Sequence, residues 1–288
     1  MVLNIIEKEN KMVKIIADSC CDLSPELLSQ YNIEVIPLSV FVKDQNFLDG
    51  IEITSDQLFT AVKETGVLPK TSAPSVAAFT EVFRKYPEFV SFSISSKLSA
   101  SYQSSAIALQ SLTNQTGSLI DSYNLSTGIG LLVLRAAELA QQGKSVEEIT
   151  SEVKSLIPNI NTSFVIDTLD YLYMGGRCSA MEHVVGSLLK IRPVVEVKKD
   201  GTLGVKEKVS GSRKKALKTM LDDFAKKKDR IDPTHVFVTH TSCPDDAEYL
   251  CGELKQIMEI ENLHITEAGS TIASHCGPNT IGILFLTK

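Results

Sequence analysis

The stretch VSFSISSKLSASYQSSAIAL, from Val90 to Leu109, holds eight serines in twenty residues, and its reading decides the fold. Serine-rich runs also form flexible tethers, but the flanks here exclude one. Val90, Phe92 and Ile94 alternate with serines as in a strand, and Ala106, Ile107 and Leu109 recur at helical spacing after Tyr102. A strand, a serine hinge and a helix in succession make a βα turn. Hydroxyls and unpaired backbone N–H groups at a helix N-terminus can hold an anion. The question is which one.

The same alternation runs outward from this hinge. VKIIA (13–17) reads as a buried strand, and the helix after it starts with Ser24 as N-cap and Pro25 in the first turn. IEVIPLSVFV (33–42) reads as a second strand, placed at an edge or on a bulge by its proline. A helix over 53–66 is capped by Thr54 or Ser55 and stopped by Gly66, and KTSAPSVAAFTEVFRKY (70–86) opens another helix at Pro74. GSLIDS (117–122) is a short strand and STGIGLLVLRAAELAQQG (126–143) a long helix. Strand–helix alternation predicts a doubly wound, mainly parallel sheet.

The second half differs. A polar helix (145–157) and a strand (162–168) precede a hairpin over 192–210 that turns at Asp200-Gly201. A basic helix beginning SRKKAL, a strand (235–242), another helix and the closing strand IGILFLTK follow. The predicted architecture is two-domain α/β: an N-terminal domain over 13–158 and a C-terminal α/β domain with a mixed sheet over 159–288. The cleft between them is the expected ligand site.

At 288 residues the chain is ample for a buried core, and its net charge of -6 argues against general nucleic-acid binding. No apolar run approaches the roughly 18 residues that span a bilayer, and the first residues do not resemble a secretion signal. A cytoplasmic location is expected, with Met12 a candidate start and transient contact with a membrane surface left open. The six cysteines form no CxxC or Cys/His zinc spacing and read as reduced thiols. No metal or cofactor is expected. GKS (143–145) is not a P-loop, because the required first glycine is Glu138.

Three segments carry chemistry. KTSAPS presents Thr71 and Ser72, SSKLSASYQSSA presents Ser95, Ser96 and Ser99, and ASHCGPNTIG sets His275 on a Gly/Pro turn. Each has a plainer reading, since Thr71 and Ser99 could be N-caps and His275 a turn residue. Two hydroxyl-rich βα turns from one sheet nevertheless point to its C-terminal edge, where such folds bind ligands.

With ADS (17–19) and LDYLYMGGRCS (169–179), these segments in this order resemble the DegV family of fatty-acid-binding proteins. The resemblance runs from Val13 onward and implies a carrier that encloses one long-chain fatty acid, such as palmitate, between two α/β domains. It has no catalysis of its own and presents the acid to a separate fatty acid kinase, which makes the acyl phosphate for phospholipid synthesis. On the same resemblance Thr71, Ser72, Ser96 and His275 bind the lipid, while Arg177 and Arg213 form a docking patch for the kinase. Because Lys70 and Lys97 are the only cations in the Ser/Thr motifs, a neutral donor set for the carboxylate is expected. Ala73, Ala100, Ser101, Cys178 and Asn279 depart from the usual family pattern, Asn279 replacing a glycine where asparagine still tolerates the left-handed region. The competing reading is a Ser/His or Cys/His hydrolase using Ser96 or Cys276 with His275, and Asp18 or Asp121 as orienting acid.

Overall fold

A computed structural model describes residues 12–177 and 191–288. Four strands form a parallel sheet in the order Glu34–Ile36, Lys14–Asp18, Glu88–Ser93 and Thr116–Asp121. Ile15 lies beside Val90 and Phe92 beside Ile120, and both faces are covered, as parallel sheets require. From the central strand Lys14–Asp18 the chain winds first to one side and later to the other. The loops leaving Lys14–Asp18 and Glu88–Ser93 therefore diverge at the C-terminal edge, and the serine hinge is one of them.

The stretch 33–42 does not form one strand. Glu34–Ile36 stays at the edge of the parallel sheet, and after Pro37 the chain leaves to form Ser39–Val42. That segment pairs antiparallel with Gln45–Leu48 and Lys70–Ser72 in a separate three-stranded sheet. Proline lacks the N–H needed to continue a ladder. Thr71 is consequently on a strand rather than before a helix, and the helix Val76–Phe83 starts later with Ser75 as its N-cap.

The second sheet has six strands in the order Leu203–Ser210, Ile191–Val197, Ile160–Val165, Ile281–Thr287, Ile231–His240 and Leu263–Glu267. All neighbours are antiparallel except the last pair, so the sheet is mixed. The helices Arg213–Lys227 and Pro244–Ile257 pack on it through Phe224, Leu250, Val238 and Phe285.

Between the sheets lies the helix Thr127–Gln141, with Ile129 through Leu134 buried apart from no more than a few per cent of surface. One apolar cluster joins it to Ile15, Val90 and Phe92 of the parallel sheet and to Phe164, Phe237 and Leu284 of the mixed sheet. The two sheets thus share a core through one helix. Gly128 permits the approach, since a Cβ there would lie 2.1 Å from Asn124 Oδ1 and 2.8 Å from Thr162 Oγ1.

The far end of this helix is tied to the mixed sheet by a polar clasp. Glu138 Oε1 lies 3.0 Å from His235 Nε2, and His235 Nδ1 lies 3.0 Å from His264 Nε2. Burial, and then the neighbouring His235, push the His264 pKa down to about 4 from an ordinary 6.5. The folded state therefore resists a proton that the unfolded chain accepts, so stability falls as pH drops from 6.5 towards 4. Urea midpoints at pH 7 and pH 5 should diverge less for His264→Asn than for the parent. An equal divergence would remove His264 from the acid response.

Candidate functional site

At the diverging loops lies a cavity of about 240 Å³. Its walls are aliphatic: Leu38, Ile94, Leu98, Leu125, Leu172, Leu203 and Ile272. A second cavity of about 30 Å³ shares Leu125, Ile272 and Cys276, so the space continues towards the mixed sheet. Polar groups in the first cavity are few, and they come from Thr71, Ser99, Thr271, His275 and Arg177.

Thr71 and His275, 204 residues apart, meet here with Oγ1 2.7 Å from Nε2. Strand alternation aims Thr71 inward, and its neighbour Ser72 is exposed instead. His275 is in the last turn of the helix Ser270–Cys276, not on a Gly/Pro turn, and that helix ends at Gly277. Asn279 follows with φ +57°, in the left-handed conformation expected of it. Burial first, then Arg177, push the His275 pKa down to about 4, so its ring is neutral at physiological pH.

The His275 Nδ1 atom is buried without a hydrogen-bond partner among the described residues. A buried orphan N–H is rarer than a buried orphan acceptor, which assigns the proton to Nε2. Nε2–H then donates to Thr71 Oγ1 and leaves the Thr71 hydroxyl hydrogen directed elsewhere. The ring is seated against Gly175, where a Cβ would come within 2.3 Å of Nδ1.

The serine hinge is positioned differently from the expectation. Ser96 is exposed and outside the cavity, its backbone N–H donating to Asp121 Oδ1 at 3.1 Å. Ser95 is buried and donates to the Gly201 carbonyl at 2.8 Å, fixing the hinge to the hairpin turn. Ser99 is the hydroxyl residue that the hinge places in the cavity wall. A strand-to-helix connection of this length turns one serine to each neighbour, and sequence alone does not say which.

Arg177 and Arg213, expected together as a docking patch, have different surroundings in the structure. Arg177 is half-buried in the cavity wall, where its Nε donates to the Leu98 carbonyl at 3.0 Å and Nη1 to the Gly175 carbonyl. A cation is therefore part of the site, which is not the purely neutral donor set expected. Arg213 is held by Asp246 at 2.5 Å and Asp167 at 3.0 Å, ion pairs that fix the start of its helix. Its charge is used within the fold.

Buried acids organise the loops. Asp18 Oδ2 accepts the Ile94 N–H at 2.9 Å and the Ser101 hydroxyl at 2.7 Å, tying both ends of the hinge to the first strand. Burial raises its pKa to about 6, against the lowering effect of these bonds. Asp22 accepts from Ser126 at 2.6 Å and from the Gly269 N–H at 2.9 Å, linking the central helix to the helix that carries His275. These acids and the aliphatic wall had no separate signal in the sequence beyond the ADS segment.

Cys20, Cys21, Cys243, Cys251 and Cys276 are unbridged, and Cys178 lies outside the described residues, as does Ser179 of the GGRCS segment. Burial pushes the Cys276 thiol up to about 12. Among the described residues no group of three or more His, Cys, Asp or Glu side chains is placed to hold a metal, and no helix is long and apolar enough to cross a membrane.

The geometry can be set beside known proteins. The chain is 34% identical over 281 residues to a DegV domain-containing protein of Clostridium acetobutylicum, covering 96% of this chain and 99% of that one. A fatty-acid-binding DegV family protein from Thermus thermophilus superposes with a TM-score of 0.89 at 30% identity, over 96% of this chain and all of that one. A stearic acid-binding protein from Eubacterium ventriosum gives a TM-score of 0.86 at 28% identity, over 96% and 99% of the two chains. Residues 12–288 match the family described as "Uncharacterised protein, DegV family", and this chain belongs to the DegV family.

Proposed function

We propose that the chain binds one long-chain fatty acid, with the carboxylate at Thr71, His275 and Arg177 and the tail along the aliphatic wall. The observation that carries the reading is the Thr71–His275 pair, which, with Arg177, makes one end of an otherwise greasy enclosure polar. A 16-carbon tail has about 15 methylene or methyl groups, and at ~0.8 kcal/mol each their burial supplies on the order of 12 kcal/mol before ordering costs. A buried carboxylate needs compensating donors and charge. With Nε2–H donating to Thr71 Oγ1, the Thr71 hydroxyl is free to donate to a carboxylate oxygen, and Arg177 supplies the opposite charge. The fatty-acid binding of the Thermus relative and the stearic acid binding of the Eubacterium relative support the same reading.

We further propose that the carboxylate held in this way is offered to a separate kinase and becomes the acyl phosphate, so that this chain is a carrier rather than an enzyme. The hydrolase alternative has the weaker support. Ser96 is outside the cavity, burial holds the Cys276 thiol well above the usual range, and among the described residues no acid orients His275 Nδ1.

Titration with a fluorescent fatty acid tests the head-group assignment. Thr71→Val keeps the shape and removes the hydroxyl, and about tenfold weaker binding or worse is expected, whereas Ser96→Ala should bind as the parent does. Arg177→Glu should lose the lipid itself. If that variant stayed loaded and only kinase-dependent phosphorylation slowed, Arg177 would return to a docking role.

A further inference from the structure

Away from the fatty-acid cavity, a groove of about 440 Å³ runs along the seam between the hairpin, the strand Ile160–Val165 and the final strand. Its lining brings together Lys198, Lys199, Lys206, Lys227, Arg230 and Lys288. One acidic side chain, Glu196, shares that lining. Such a concentration of cations is unusual in a chain of net charge -6.

The charge excess is built into the wall. Asp223 Oδ2 accepts from both Lys206 at 2.6 Å and Lys227 at 2.8 Å, and both lysine side chains are about three-quarters buried. One carboxylate between two ammonium groups leaves a positive charge unbalanced. Lys227 is held further by Asn161 Oδ1 at 3.0 Å and lies 5.8 Å from the Phe285 ring. Burial and the nearby Lys206 lower its pKa, in keeping with that surplus. Packing like charges costs folding energy that a bound anion offsets.

We propose that this groove binds a small phosphoryl-bearing anion, a phosphomonoester or diphosphate. Lysines recognise phosphate as point charges, and the volume falls within the usual range for small-molecule sites. The lining is mostly polar, with Asn159, Asn161 and Thr162 beside the cations, which rules out a second acyl chain. The same phosphoryl chemistry occurs in soluble esters and in phospholipid head groups. Tyr123 and Lys198 bring the groove to the Asp200-Gly201 turn, which Ser95 clamps to the serine hinge. An anion here and a ligand in the cavity thus press on one hinge, and linkage requires any coupling to be reciprocal.

The test is calorimetric titration of the whole chain at about 0.15 M ionic strength with glycerol 3-phosphate and with pyrophosphate. In parallel, sedimentation is measured with phosphatidylcholine vesicles containing phosphatidic acid and with phosphatidylcholine alone. Saturable binding is expected, weakened about tenfold or more in Lys198→Gln/Arg230→Gln, which leaves the Lys206–Asp223–Lys227 ion pairs in place. Binding of the soluble anions identifies a free phosphate ester, and binding of phosphatidic acid vesicles only identifies a head group. No saturable binding of either kind, or equal binding by parent and variant, overturns the proposal.

Discussion

Gly175→Ala should fold normally and bind fatty acid about ten- to a hundredfold more weakly than the parent. The backbone at Gly175 has φ -72° and ψ -9°, a helical conformation open to any L-residue, so alanine adds no backbone strain. The added methyl would instead lie 2.3 Å from His275 Nδ1, 2.9 Å from Cε1 and 3.0 Å from the Tyr171 carbonyl. The ring must retreat by about 1 Å to restore ordinary contact, and the 2.7 Å bond to Thr71 is lost with it. Without Nε2–H on its oxygen, Thr71 no longer has its hydroxyl hydrogen committed to the ligand. A hydrogen bond to a charged group contributes about 1.5–3 kcal/mol, which sets the size of the loss. Circular dichroism and fluorescent fatty-acid titration read the two parts separately. Parental affinity with a parental spectrum would show that the ring's seat is not what orders the head group.

Leu132→Ala should cost about 2–5 kcal/mol, the usual penalty for emptying a filled core site. Leu132 is fully buried on the helix between the sheets, within the cluster that includes Phe92 on one side and Phe164 on the other. Against a typical total of about 5–15 kcal/mol the loss is large. Because both sheets close over the same helix, urea unfolding should remain a single transition with a lower midpoint. A biphasic curve in which only one phase moved would show that the sheets hold separate cores.

The sequence made the layered architecture legible because its signals were local. Thr54 and Gly66 bracket their helix as read, and the Asp200-Gly201 hairpin turns where expected. Pro37 was read correctly as a restraint on pairing, but its consequence, the departure of Ser39–Val42 into another sheet, depends on a partner strand thirty residues away. For the site, Thr71 and His275 stood out by residue type, and the structure brings them into contact. Ser72 and Ser96 stood out equally, and their side chains are exposed outside the cavity. Which of several adjacent hydroxyls faces a cavity is set by strand phase and by anchors such as Asp18 and Asp121, and those are tertiary contacts. Arg177, the better docking candidate by its Gly-Gly turn, and Arg213 were read as surface cations, because burial against Leu98 and pairing with Asp246 leave no mark in their own segments.

Organic extraction and mass spectrometry of the purified chain, with native mass spectrometry for stoichiometry, test the central claim most directly. The account predicts one fatty acid per chain, retained through gel filtration. A chain that is empty and also fails to take up added palmitate or oleate would contradict it.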